Sequence, residues 1–109
     1  MRYLLDMRIH FESSGGFAGM HSSVMLDTDS ISLEDAQQLR DLITNSNFFD
    51  LPSESPRPRV GSADYLRYKI TVDSSGQSHT VKTNDIAMPS KLSPLIKFLQ
   101  SKAKVSQYF

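Results

Sequence analysis

Residues 66–72, Leu-Arg-Tyr-Lys-Ile-Thr-Val, alternate apolar and polar without a break. A helix cannot gather that pattern onto one face, because its side chains recur every 3.6 residues; a strand sends successive side chains to opposite faces and can. Leu66, Tyr68, Ile70 and Val72 therefore share one face, and Arg67, Lys69 and Thr71 the other. A sheet of such strands has one apolar side to bury and one side left wet, the habit of antiparallel sheets.

Three more segments obey the same rule. In "DMRIHFE", Met7, Ile9 and Phe11 oppose Arg8, His10 and Glu12. In "MHSSVMLD", Val24 and Leu26 oppose His21 and Met25. "SHTVKTND" returns after the turn "SSGQ", in which Gly76 is free to take a positive φ. The apolar faces match when Phe11 lies opposite Val24, Ile9 opposite Leu26 and Ile70 opposite Val81. A slip of one residue would send one strand's apolar set to the wrong face. Two hairpins follow, the first closed by "SSGGFAGMHSS".

Two segments carry the helical period instead. Leu33, Ala36, Leu39, Leu42 and Ile43 form one stripe, with Ser32 as N-cap, Asp35 in capping-box position and Ile31 with Ala36 as a hydrophobic staple. "TNSN" stops this helix, and Phe48, Phe49 and Leu51 cover the edge of the core. The second stripe is Leu92, Leu95, Ile96 and Leu99. Pro94 belongs in a first turn, which makes Ser93 the expected N-cap. Between helix and third strand, Pro52 to Asp64 is a long polar loop stiffened by prolines; the tail "VSQYF" has no assignment. The predicted fold is α+β, a two-layer sandwich of a four-stranded antiparallel sheet with two helices on one face, in the order ββαββα. We expect one domain over residues 1–109.

Composition narrows the function. Twelve basic and twelve acidic residues balance, so the cationic surplus of a nucleic-acid binder is missing. With no cysteine, neither a disulfide framework nor a thiolate metal site can be built. No apolar run approaches a membrane span, and "MRYLLDMRIHF" is too interrupted for a signal-peptide core, so a cytoplasmic location is expected. The hairpin register puts His10 and His21 on the polar face about 13 Å apart, too far to share a metal ion. The three histidines are read as surface residues. No nucleophile elbow is present, and "GGFAG" lacks the spacing of a dinucleotide fingerprint. No enzyme, metal or cofactor is indicated.

Three stretches in order are more telling than any one: "SGGFAG" with the strand ending "LDTD"; "SLEDAQQLRDLITNSNFFDLP"; and "DYLRYKITVDSSGQSHTVKTND" followed by "MPSKLSPLIKFL". This order resembles the emfourin family from about Arg8 to Leu99, chiefly through "GGFAG" and the D-x-x-x-Y pattern of Asp64 and Tyr68. The resemblance implies a small bacterial protein inhibitor of protealysin-like zinc metalloproteases of the thermolysin family. Such an inhibitor would restrain a protease encoded beside it until release.

Inhibition of a cleft enzyme calls for a projecting loop on a rigid scaffold. In one mechanism Gly15, Gly16, Phe17, Ala18 and Gly19 enter the cleft, with Phe17 filling the apolar pocket that thermolysin-like enzymes use beyond the scissile bond. In another, a carboxylate or carbonyl reaches the zinc. In a third, the loop carrying Arg57, Arg59 and Asp64 blocks the cleft sterically. Against these stand plainer roles: Phe17 folded back on its hairpin, Tyr68 packed in the core, Asp64 capping a strand, and Arg57 and Arg59 solvated. A non-inhibitory adaptor that binds another protein is the alternative function.

Overall fold

A computed structural model describes residues 6–15, 20–55 and 65–106. Strands β1 (Met7–Gly15) and β2 (Met20–Asp27) form the first hairpin, and helix α1 (Leu33–Ser46) follows. Strands β3 (Leu66–Ser74) and β4 (Gln77–Asn84) form the second hairpin, followed by helix α2 (Ser93–Lys102) and a short strand β5 (Lys104–Ser106). The predicted ββαββα order is present. The strands lie in the order β4-β3-β1-β2-β5, every neighbouring pair antiparallel. The fifth strand is an addition to the four expected; Val105 and Ser106 come from the unassigned tail, and Lys104 immediately precedes it. It pairs Lys104 to Ser106 with Ser23 to His21 of β2.

The registers follow the apolar pattern. Phe11 faces Val24 and Ile9 faces Leu26 across β1 and β2; Ile70 faces Val81 across β3 and β4. The two hairpins join through β1 and β3, where Phe11 meets Ile70 and Ile9 meets Val72. Those inward side chains, with Tyr68, form one core with Leu39 and Ile43 of α1 and Leu95, Ile96 and Leu99 of α2. Both helices therefore cover the same face. The Tyr68 ring stacks on Phe11 with centroids 6.1 Å apart, deciding its place in favour of the core.

Local signals explain the boundaries. Ser32 caps α1 by accepting from the backbone N–H of Asp35 at 3.1 Å. Asp35 does not close the capping box; its carboxylate takes the Lys102 ammonium at 2.9 Å and ties the start of α1 to the end of α2. Asn47 ends α1 in the left-handed conformation, φ 57°. The β3–β4 turn is the two-residue type I′ form, with positive φ at both Ser75 (49°) and Gly76 (79°).

Three local expectations are corrected. Leu33 is 88 % exposed: burial in α1 begins at Ala36, so the first turn stands outside the packed layer. Ser93 is helical, not the N-cap, because a 3-10 turn over Ser90–Leu92 runs straight into α2; Pro94 does sit in the first turn. His79 is half-buried and not a surface residue, because it shares the inward parity of Val81. Its Nε2–H donates to the Leu51 carbonyl at 2.8 Å, and its ring meets Phe48 edge-on at 5.6 Å.

Candidate functional site

The end of the sheet where β1 turns into β2 is also where β3 begins and β4 finishes. Gly15 pairs with Met20 on one side and with Leu66 on the other. Gly15 has φ +102°, and a Cβ placed there would stand 2.9 Å from the Tyr65 carbonyl oxygen. Only glycine fits a backbone of that shape in that contact. The first root of the 16–19 segment and the second root of the 56–64 segment are thus in contact.

The other root of the 56–64 segment is pinned to β4. Ser55 N–H donates to the Lys82 carbonyl at 2.9 Å, Lys82 N–H donates to the Ser53 carbonyl at 2.8 Å, and the Ser55 and Thr83 hydroxyls are 2.7 Å apart. This short parallel pairing also covers the edge of β4 at Lys82, whose backbone groups would otherwise be unpaired.

A third element leaves from the same end. Asp85 N–H donates to the Leu66 carbonyl at 3.1 Å. The Asn84 carboxamide oxygen then accepts from the backbone N–H of Ile86 at 3.0 Å and of Ala87 at 2.7 Å, an Asx turn that fixes the link from β4 to α2. The Tyr68 hydroxyl, below the start of this link, accepts from Gln100 Nε2 of α2 at 3.5 Å, and burial, then the charge of Asp85, pushes its pKa up.

Between these roots, on the wet face of the sheet, lies a shallow groove of about 400 Å³ whose lining includes Glu12, Ser14, His21, Arg67, Lys69 and Lys82. Lys69 and Lys82 stand directly opposite each other, and Arg67 lies one step along the same face. Glu12 leans toward His10, 3.7 Å away. The groove is open and of mixed character, with Tyr65 and Tyr68 beside the charged side chains, and is suited to contact with another surface more than to enclosing a small molecule. Among the described residues, no group of three or more His, Asp or Glu side chains stands where it could hold a metal ion. Also among the described residues, no helix is long and apolar enough to cross a membrane.

Of the sequence-derived candidates, Gly15 is placed at the centre of this end. Gly16, Phe17, Ala18, Gly19, Arg57, Arg59 and Asp64 lie outside the described residues. Two features escaped sequence reasoning. The contact of Gly15 with Tyr65 depends on β1 pairing with β3, which the alternation does not dictate. The Asx turn at Asn84 had a signal in "TND", since asparagine favours such turns.

No curated protein and no solved structure matches this chain. Residues 11–100 match the emfourin family model, a span that takes in both hairpins from Phe11 onward, α1 and nearly all of α2. The chain belongs to the emfourin family, a membership that points to a role related to protease inhibition.

Proposed function

We propose that this protein inhibits a thermolysin-family, protealysin-like zinc metalloprotease by docking the β1–β2 end of its sheet in or across the active-site cleft. One observation carries the reading beyond family membership: the segments holding the candidate contacts are rooted side by side, Gly15 against Tyr65, on a sheet packed by two helices. Roots already fixed on a packed scaffold need no ordering on binding, which favours a tight complex.

In this reading Gly15 to Gly19 form the inserting edge. Phe17 occupies the apolar pocket beyond the scissile position, and the glycines let the backbone enter in a shape that is poorly cut. Arg57, Arg59 and Asp64 contact the rim. The chain performs no chemistry of its own and takes no cofactor; it works by occupying the cleft. A cytoplasmic inhibitor of this kind would hold its protease inactive until the two are separated.

The test is titration of the purified protein into thermolysin-family metalloproteases, a protealysin-like enzyme among them, with peptide cleavage as readout. Stoichiometric loss of activity is expected at micromolar concentrations or below. Full activity with the protein physically bound would identify an adaptor instead, and full activity without binding would remove the tested enzymes as targets.

A further inference from the structure

Three large apolar side chains are exposed among the described residues: Met25 at 62 %, Leu33 at 88 % and Ile86 at 58 %. A single exposed apolar residue is ordinary and needs no explanation. Ile86 differs from the other two in place and in mounting. Met25 lies mid-strand on the wet face, opposite His10. Leu33 opens α1, which follows the far end of β2, near Arg8 and Asp27. Ile86 alone stands at the loop-bearing end, one residue from the Asp85 N–H that bonds the Leu66 carbonyl, and Leu66 pairs with Gly15.

Its mounting is stiff. Asn84, itself only 5 % exposed, holds the backbone of both Ile86 and Ala87 through its carboxamide oxygen. Met88, two residues on, packs against the core. The turn is fixed by the Asn84 carboxamide and by Met88, and the Ile86 side chain is not part of the core. That side chain is β-branched and has few rotamers to lose. A rigid aliphatic knob on a backbone-fixed turn is the kind of group that anchors an interface.

We propose that the β4–α2 turn is a third contact element of the inhibitor, with Ile86 as its anchor in an apolar, aliphatic-lined depression on the rim of the protease cleft. The inference rests on the inhibitory reading above and adds a contact outside both loops named there. It assigns Leu33 and Met25 no part in binding.

The test compares Ile86→Ala, Ile86→Asp and Leu33→Asp with the unaltered chain, reading the inhibition constant against an inhibited metalloprotease and the thermal midpoint of each variant alone. Ile86→Ala should weaken inhibition about tenfold and Ile86→Asp about a hundredfold or more. Leu33→Asp should change nothing, and all midpoints should agree closely. Unchanged inhibition by Ile86→Asp overturns the inference and leaves the inhibitory reading intact. A fall in the Ile86→Ala midpoint that accounts for its lost inhibition also overturns it, by making Ile86 structural. If the unaltered chain inhibits none of the enzymes, the inhibitory reading fails first and this inference falls with it.

Discussion

Gly15 and Tyr65 lie so close that a single added methyl on the glycine would stand 2.9 Å from the tyrosine's carbonyl oxygen. That atom is backbone, in a strand-flanking position, and cannot swing aside as a side-chain end would. The glycine's φ of +102° adds a second penalty for any other residue. Gly15→Ala should therefore destabilise the fold by about 1–3 kcal/mol, read by denaturant unfolding. Because relief of the clash must push β1 and the Tyr65 backbone apart, inhibition should weaken by more than the lost stability explains. Wild-type stability in this variant would show that the two roots are not in contact.

Phe17 separates the insertion mechanism from the steric one. If its ring fills a pocket of the protease, Phe17→Ala removes a buried anchor and should weaken inhibition by about 2 kcal/mol or more. The thermal midpoint should hardly move if the ring lies against the protease and not against its own sheet. Lost stability with preserved inhibition would place Phe17 on its own sheet and turn attention to Arg57 and Arg59.

How much of this was readable from the chain depends on the kind of signal each feature leaves. Pairs such as Phe11 with Val24 and Ile70 with Val81 were legible, because a one-residue slip would expose a whole apolar set. The order β4-β3-β1-β2 was not, because β3 could lie beside either β1 or β2 with its apolar face still inward. The meeting of Gly15 and Tyr65 went unseen for the same reason. Strand β5 has three residues, too few to show alternation, and is set by its partner β2. Ile86 left no mark, because one apolar residue in a turn has no period.

At the far end of the sheet, Asp29 carries a pKa above the usual carboxylate value. The largest cause is a hydrogen bond shared with the Asp6 side chain; the charge of Asp6 comes next, then desolvation and Asp27, while Arg40 opposes them. A carboxyl whose folded pKa is raised favours the protonated form. Its contribution is most favourable below the unfolded pKa and is lost as pH rises through the folded one. Asp29→Asn keeps a hydrogen-bonding side chain and removes the charge. The variant should melt at a higher temperature than the unaltered protein at pH 7, and the gain should shrink as pH falls below the carboxylate range. A gain that stays constant with pH would rule out the charge as its cause.

His79 and Leu51 give the most demanding test of the packing. The Leu51 carbonyl can only accept, so the 2.8 Å contact fixes the histidine as the tautomer with hydrogen on Nε2. That bond ties the chain after α1 to β4, just before Ser53 and Ser55 pair with Lys82. The ring also meets Phe48 at 81° and Phe49 at 36°, closing an aromatic cluster at the core's edge. His79→Ala removes both the donor and the ring and should cost about 2–4 kcal/mol. His79→Leu returns apolar volume but still leaves the Leu51 carbonyl without its donor, and should cost about 1–2 kcal/mol. Denaturant midpoints should fall in that order at unchanged slope. If the cluster only supports the fold, inhibition under native conditions should survive both substitutions. Inhibition lost before stability would mean that the Leu51 tether also sets the position of the 56–64 segment.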